Sequence, residues 1–295
     1  MIMMTRKYGQ LGNRLMLSAH LIAAAREYGV TFWNPAFADY AGYFPSTCGD
    51  PWCRYPVVDR VERSDRPLPS TWHRGLIYTS TYLSARTLSH LRLTRFPAHV
   101  IRLRGEDPCD LASESFASLA KSSRPLLLSG WKFRSRPLLE KHADVVREFF
   151  RIFPENENRV GQVIDRARQQ TDMLVGVHIR HGDYAKWLGG RYFYSIPEYR
   201  DAMQRIADHL GTKRVTFFVC GNAKLRAEDF GGLNVHFGTG HLIEDMYAFA
   251  QTDWLIGPPS TFTGWASFYG GVPLTYMHTS DQPFDFTRAP LPHAA

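Results

Sequence analysis

The chain has 295 residues, which is enough for one large domain or for two of ordinary size with a substantial core. Apolar residues make up 44% of the chain and charged residues 21%, which is ordinary for a globular protein, and no apolar run is long enough to cross a bilayer. The net charge is +7 and the first residues, MIMMTRKYG, lack the features of a secretory signal, so we expect a cytoplasmic protein with an excess of positive charge.

The first part of the chain begins as an α/β unit and then becomes irregular. The predicted elements are, in chain order, a strand over residues 2–5, a helix over about 13–28, a strand over 31–33, a strand over 126–129 and a helix over 138–153. Residues 35–125 are rich in proline, aromatic residues and arginine and show no clear periodicity. We therefore assign no element in that region.

Residues 54–104 contain the whole excess of positive charge. The segment has ten arginines, no lysine and three acids, which gives a net charge of +7. One interpretation is a solvated surface in a chain where arginine outnumbers lysine 28 to 7. The other is a face for polyanions, above all peripheral contact with the inner face of an anionic membrane. The aromatic and basic patterns of nucleic-acid modules are missing, which disfavours nucleic acid as the partner.

The C-terminal half alternates strands with helices. The predicted strands cover residues 173–179, 215–220, 233–237, 254–257 and 272–277. The predicted helices run from the Ser195 capping box to about residue 210, through Leu242, Met246, Phe249 and Ala250 on one face, and over 260–269. This alternation predicts a parallel sheet covered on both sides. The chain as a whole is predicted to form two α/β domains, residues 1–160 and 161–295, facing one cleft.

Two strand ends in this half carry chemistry that suits a phosphate. Arg180 follows the strand over 173–179, and Ser260 follows the strand over 254–257, where ligands of parallel sheets bind. Arginine binds phosphate oxygens in a bidentate manner, and the N-terminus of a helix favours an anion. Each residue also has an ordinary structural interpretation, because Arg180 can pair with Asp183 and Ser260 can be a helix N-cap.

The turn Gly9-Gln-Leu-Gly12-Asn13 is a third candidate segment. Glycines between a strand and a helix let the backbone turn tightly and approach a ligand closely. Such turns are also common without any function.

The four cysteines give no sign of a metal site. Cys48, Cys53, Cys109 and Cys220 lack the paired spacing of zinc ligands and fit reduced thiols. A small disulfide loop between Cys48 and Cys53 is the alternative.

Three segments together resemble the signatures of the alpha-1,2-fucosyltransferase family, glycosyltransferase family 11, and of its protein O-fucosyltransferase relatives. They are YGQLGNRL, HIRHGDY and GPPSTFTGW. Residues 9–14 match the family's G-x-L-G-N-[QR], residues 178–184 its H-x-R-R-G-D-Y, and residues 259–265 its late N-S-[ST]-F-S-x-W. The order and spacing agree from residue 8 to about 270. The resemblance implies a GT-B fold of two Rossmann-like halves, GDP-fucose as donor, a glycan hydroxyl as acceptor, inversion at the anomeric carbon and no metal cofactor.

The resemblance also implies roles for individual residues. Arg180 is expected to bind the β-phosphate and His178 to lie near the guanosine. Ser260, Thr261 and Phe262 are expected to bind the pyrophosphate through hydroxyl and backbone groups.

Further roles follow for residues outside these strand ends. Glu244 and Asp245 are expected near the base or ribose, with Asp245 the stronger candidate. Gly12 and Asn13 are expected to face the reacting sugar.

Two departures from the family pattern leave the donor sugar and the linkage open. His181 replaces the second arginine of the family motif, which removes one fixed positive charge from the expected donor site. Pro258-Pro259 replaces the polar residues that precede the late serine.

Arg180, Asn13 and Asp183 are the catalytic candidates. Arg180 would stabilise the charge that develops on departing GDP. Asp183 and Asp39 are candidates for the base that accepts the acceptor's proton, and proton loss to water or phosphate is the alternative. Three other interpretations stay open: a transferase with another nucleotide sugar, an inactive GDP-sugar-binding module, and a nucleic-acid-binding protein using residues 54–104. A lipid-linked glycan is one candidate acceptor.

Overall fold

The protein forms two compact α/β units. The computed structural model describes residues 1–57, 68–105, 107–169, 171–211 and 213–284. The first unit ends at Phe153 and the second begins at Pro154. The boundary predicted between residues 160 and 161 falls inside the helix Pro154–Ala167, so the division lies earlier in the chain than predicted. A proline and two acids in the first turn favour a helix start, which explains why this polar stretch is helical.

The first unit is built on a parallel sheet. Its elements are β1 (Ile2–Met4), α1 (Leu11–Tyr28), β2 (Phe32–Trp33), a 3-10 helix (Pro35–Tyr43), α2 (Pro45–Cys48), α3 (Thr71–His90), β3 (His99–Arg102), β4 (Cys109–Asp110), α4 (Glu114–Lys121), β5 (Leu126–Ser129), β6 (Phe133–Arg134), α5 (Arg136–Lys141) and α6 (Ala143–Phe149). The main sheet has the strand order β2-β1-β5-β3, and β4 pairs with β6. α1 is buried along most of its length, which places it in the core of this unit.

Several sequence predictions for the first unit are confirmed and one is wrong in detail. The strand over 126–129 and the helix that ends at Tyr28 are present as predicted. The helix predicted over 138–153 is instead two short helices, because the backbone at His142 leaves the helical region (φ −114°, ψ 21°). The unassigned region 35–125 contains the twenty-residue helix α3.

The second unit is a five-stranded parallel sheet with helices. Its elements are α7 (Pro154–Ala167), β7 (Met173–Ile179), two 3-10 turns (Gly182–Ala185 and Trp187–Gly190), α8 (Ile196–Leu210), β8 (Val215–Gly221), a 3-10 turn (Ala227–Phe230), β9 (Val235–Phe237), α9 (Leu242–Phe249), β10 (Trp254–Gly257), α10 (Thr261–Gly270) and β11 (Leu274–Tyr276). The predicted parallel sheet and the capping box at Ser195 are confirmed. The periodicity places Leu242 on the apolar face of its helix, but its position in the first turn leaves it 39% exposed.

The strand order of the second unit creates a topological switch point. The order is β11-β10-β7-β8-β9, so the chain runs outward from β7 to β9 and then returns to the other side of β7. Gly176 lets β7 fit between its neighbours, since a Cβ there would lie 2.5 Å from Leu255 on β10 and 2.8 Å from Phe249 on α9. Ligands of open parallel sheets bind at the carboxyl ends of the strands beside such a point. The switch point here lies between β7 and β10.

Two further observations concern disulfide bonds and membrane-spanning helices. All four cysteines are free thiols, so the disulfide between Cys48 and Cys53 is not formed. Within the described ranges, no helix has both the length and the apolar character that crossing a membrane requires.

Candidate functional site

Two of the sequence-predicted residues follow the strands on either side of the switch point. β7 and β10 are parallel neighbours, with Val175 paired to Trp254 and Val177 paired to Ile256. Arg180 comes directly after β7, and Ser260 comes shortly after β10. The structure therefore brings these two residues to the same edge of the sheet.

The Arg180 side chain is largely buried, and only part of its hydrogen-bonding capacity is used. Its side chain is 19% exposed, and its Nη2 lies 2.9 Å from Oδ1 of Asp183. Its guanidinium carbon lies 5.4 Å from the centre of the Tyr184 ring. The Nε atom of Arg180 is buried and has no hydrogen-bond partner. The ion pair with Asp183 therefore leaves part of the guanidinium unused.

His178 is a buried neutral histidine near the carboxyl end of β7. Its ring stacks on the ring of Phe262, with the centroids 5.0 Å apart and an angle of 26° between the planes. Burial, with a smaller contribution from the Arg180 guanidinium, lowers the pKa of His178 to about 3. The ring is therefore neutral near pH 7, and its buried Nδ1 has no hydrogen-bond partner.

Ser260 is the N-cap of α10, in agreement with its ordinary structural interpretation. Its Oγ accepts a hydrogen bond from the backbone N–H of Phe262 at 3.2 Å. Thr261 and Phe262 are the first two residues of the helix, so they lie in its positively polarised first turn. The three residues assigned to the pyrophosphate thus form one helix start next to Arg180.

Two tyrosines fix the backbone before this helix. The hydroxyl of Tyr184 donates to the carbonyl oxygen of Pro259 at 2.5 Å, and the hydroxyl of Tyr276 lies 3.3 Å from the carbonyl oxygen of Ser260. Burial raises the pKa of Tyr276 to about 12, so this hydroxyl keeps its proton. Sequence reasoning missed Tyr276, because nothing in a short apolar strand indicates which neighbour its side chain will contact.

His181 is held by its neighbours on the sheet edge. Its Nε2 lies 2.8 Å from the carbonyl oxygen of Tyr194, and its ring centre lies 4.6 Å from that of Phe193. Its backbone N–H donates to Oδ1 of Asn222 at 2.8 Å. Asn222 follows β8, the next strand of the sheet, and the rule that ligands bind at strand ends could have found it.

Asp245 lies buried near the end of β9. Its Oδ1 accepts from the N–H of Gly240 at 3.3 Å and from the hydroxyl of Thr239 at 3.4 Å. Burial raises the pKa of Asp245, although these hydrogen bonds oppose the shift. A Cβ at Gly238 would lie 2.2 Å from Oδ1 of Asp245, so the carboxyl group is closely enclosed by backbone.

Glu244 is occupied by an ion pair inside its own unit. Nη1 of Arg159, on α7, lies 3.0 Å from Oε1 of Glu244, whose side chain is 4% exposed. The carboxylate is therefore covered and already charge-balanced. This arrangement favours Asp245 over Glu244 as the ligand-contacting member of the acid pair.

The glycine turn of the first unit is compact. Gly9 has a φ of +57°, and a Cβ there would lie 1.8 Å from Nδ2 of Asn13, because the Asn13 side chain folds over the turn. Gly12 is buried in the first turn of α1. The expectation that Gly12 and Asn13 face a sugar stays a prediction.

Asp39 is held by two cations. Its Oδ1 lies 2.7 Å from Nζ of Lys7, and its Oδ2 lies 2.7 Å from Nη1 of Arg14. Burial alone would raise the pKa of Asp39, but the hydrogen bonds from Lys7 and Arg14 bring it below its ordinary value. A carboxylate that is paired in this way is a weak base.

In the described part of the chain, no cluster of three or more His, Cys, Asp or Glu side chains is arranged to hold a metal ion.

Comparison with known proteins identifies the fold of this chain. No protein-family model matches the chain, and no curated protein matches it. Among solved structures, a variant of FUT1 from Arabidopsis thaliana in complex with GDP superposes with a TM-score of 0.57 at 12% identity, covering 94% of this chain and 70% of that one. The fucosyltransferase NodZ from Bradyrhizobium superposes with a TM-score of 0.52 at 17% identity, covering 94% of this chain and 95% of that one. A NodZ alpha-1,6-fucosyltransferase crystal soaked with GDP-fucose gives a TM-score of 0.51 at 17% identity, over 92% and 93% of the two chains.

These likenesses confirm the predicted fold class. The chain has the α/β, GT-B-type fold of fucosyltransferases, with one Rossmann-like half in each compact unit.

Proposed function

We propose that this protein is a glycosyltransferase that transfers L-fucose from GDP-fucose to a glycan hydroxyl. The fold is that of fucosyltransferases whose structures contain GDP or were soaked with GDP-fucose. The sequence motifs around Arg180 and Ser260 resemble the same class of enzyme. The alpha-1,2 linkage belongs to the proposal because the three motifs resemble that family most.

The observation that carries the proposal is the unpaired Nε of Arg180 at the switch point. Leaving a buried donor without a partner costs about 1–3 kcal/mol, so such a group needs a compensating role. A diphosphate oxygen is the acceptor that suits a guanidinium, and the start of α10 supplies a second source of positive potential beside it. Arg180 and residues 260–262 would thus bind the two phosphates of GDP.

The nucleoside would lie on the side of His178 and Asp245. Neutral His178 has an unpaired Nδ1 that can exchange a hydrogen bond with GDP, while its stack on Phe262 fixes the plane of the ring. The Asp245 carboxyl group keeps lone pairs for the N–H groups of a guanine or for a ribose hydroxyl. Asn222 and His181 would complete the edge.

The reaction follows from where charge develops. As the bond between the anomeric carbon and the phosphate oxygen breaks, GDP gains negative charge, and preorganised donors at the phosphate lower the barrier. Attack by the acceptor hydroxyl from the opposite side inverts the anomeric centre. Asp183 and Asp39 are both engaged by cations. We therefore propose late loss of the hydroxyl proton, to water or to the departing phosphate.

Charge balance by Arg180 and the helix start leads us to propose that no metal ion is needed. GDP binding measured by calorimetry should then be the same with and without EDTA. Loss of binding in EDTA would overturn this part of the proposal.

A donor screen tests the function. The protein is incubated with GDP-fucose, GDP-mannose and UDP-glucose, and released nucleotide is measured with and without added glycans. The proposal expects release of GDP from GDP-fucose, and linkage analysis of the product should give alpha-1,2. GDP binding without turnover of any donor would indicate an inactive binding module, and turnover of a different donor would replace fucose. Absence of GDP binding would contradict the proposal altogether.

A further inference from the structure

One side of α3 is anchored to the first unit by a buried arginine. The guanidinium of Arg74 donates to the backbone oxygens of Asp50 at 2.9 Å and Thr47 at 3.1 Å, and also to that of Cys48. Ala85, three turns further along, is buried on the same side. These contacts fix which side of the helix faces away from the unit.

The opposite side of α3 is apolar and exposed. Trp72, Leu76 and Leu83 are 72%, 49% and 49% exposed and lie on one stripe, since positions i, i+4 and i+11 share a helix face. The loop that follows α3, residues 91–96, also exposes large apolar side chains, among them Phe96 at 69%. We call these exposed side chains of α3 and of residues 91–96 the α3 face. Large apolar side chains grouped in this way mark an interaction surface.

The charge of the α3 face is positive throughout. Residues 68–105 contain no aspartate or glutamate. Five arginines of this stretch are exposed: Arg86, Arg92, Arg95, Arg102 and Arg104. The three arginines between residues 58 and 67 are matched by three acids and lie outside the described residues. Arg54 is paired with Asp50, and Arg74 is buried. Of the five exposed arginines, Arg86, Arg92 and Arg95 belong to the α3 face.

We propose that the α3 face binds the surface of an anionic lipid membrane. Indole and leucine side chains insert at the boundary between headgroups and acyl chains, while arginines pair with anionic headgroups. Both chemistries are present on one face, and no acid within residues 68–105 opposes them. The two therefore act together in binding the lipid surface.

The position of α3 links this surface to the glycine turn of the first unit. Nζ of Lys7, which follows β1, lies 4.5 Å from the ring centre of Tyr78 on α3. Tyr78 lies near Arg74 on the anchored side of α3, so docking through the α3 face would hold this segment one helix diameter, about 10–12 Å, from the membrane. For the proposed fucosyl transfer this favours a lipid-linked glycan as the acceptor, and that detail rests on the proposed function. Lipid binding itself does not.

Vesicle sedimentation with the full chain tests the proposal. Wild type should sediment with vesicles of 70% phosphatidylcholine and 30% phosphatidylglycerol at 50 mM salt, and stay in the supernatant with pure phosphatidylcholine. The double variant Arg86→Gln/Arg95→Gln should lower the partition coefficient roughly 20- to 30-fold, at about fivefold for each arginine. The double variant Trp72→Gln/Leu83→Gln should abolish the binding that persists at 300 mM salt.

A charge-matched control keeps the test specific. Arg151→Gln/Arg166→Gln also removes two exposed arginines, and it should reduce partitioning far less. The proposal is overturned if wild type does not sediment with the anionic vesicles, or if the control variant loses as much binding as Arg86→Gln/Arg95→Gln. A dimer that Trp72→Gln/Leu83→Gln dissociates, without any vesicle binding by wild type, would instead make the face an interface between copies. None of these measurements uses the enzymatic activity, so their failure is separate from failure of the proposed function.

Discussion

The ring of His178 on β7 lies against the ring of Phe262 on α10, with 5.0 Å between the centroids. This contact joins the strand on one side of the switch point to the helix that follows the strand on the other side. Because both rings are held in place, the neutral imidazole presents its unpaired Nδ1 in a fixed direction.

The buried state of His178 predicts a change in the pH dependence of stability. Its pKa is about 3 in the folded protein, against 6.5 for an ordinary histidine. Its contribution to stability is therefore complete above pH 6.5 and is lost as the pH falls from 6.5 towards 3. His178→Phe should keep the ring contact. In that window it should reduce the slope of the free energy of unfolding against pH by about 1.4 kcal/mol per pH unit. Urea unfolding between pH 7 and 4.5 measures this, and an unchanged slope would mean that the imidazole is not neutral in the fold.

The same variant should weaken GDP binding by roughly 3- to 10-fold, the effect of losing one neutral hydrogen bond. Calorimetry at pH 7 measures it.

Asp39 is predicted to anchor the glycine turn without acting as a base. Removal of a general base typically costs about 10²–10⁴ in rate. Because the Asp39 carboxylate is bound by Lys7 and Arg14, Asp39→Asn should change turnover per folded molecule by less than about tenfold and lower the melting temperature. A hundredfold loss of rate together with loss of the acid limb of the pH–rate profile would restore Asp39 as the base.

The ion pair between Arg159 and Glu244 predicts a specific loss of stability. Arg159→Gln leaves the buried Glu244 carboxylate without its charged donor, so the free energy of unfolding should fall by about 1–3 kcal/mol. Arg166→Gln is the matched control, because Arg166 is an exposed arginine on the same helix, and its effect should stay within about 0.5 kcal/mol. Adding Glu244→Gln to Arg159→Gln should recover part of the loss. Equal effects of the two arginine variants would show that the ion pair contributes nothing.

The sequence is sufficient to predict the edge of the sheet where the candidate site lies. Strand-helix alternation predicts a parallel sheet, and residues at the ends of its strands must meet at one edge. The positions of Arg180 and Ser260 in the chain therefore indicate that they lie at the same edge. The N-cap role of Ser260 and the Arg180–Asp183 ion pair also follow from local spacing, and the structure contains both.

Other features could not be predicted from the sequence, because they reverse the usual hydrophobic pattern or join residues that are far apart in the chain. α3 buries Arg74 and exposes Trp72, which is the reverse of the hydrophobic pattern that identifies a helix from sequence. The partners Arg159 and Glu244 are 85 residues apart, and no local signal connects them. Tyr276 contributes through a hydroxyl whose target depends on how β11 pairs with β10.

The rate of Arg180→Ala tests the central claim most directly. Turnover of GDP-fucose is measured per folded molecule, beside the melting temperatures of Arg180→Ala, Arg180→Lys and Asp183→Ala. We predict that Arg180→Ala retains the fold and loses about 10²–10³ in rate, as expected when one preorganised donor to a developing anion is removed. Arg180→Lys should recover only part, because an ammonium group keeps the charge and loses the two-pronged geometry. A rate near wild type, with a loss of stability equal to that of Asp183→Ala, would contradict the account and leave Arg180 with only its ion pair.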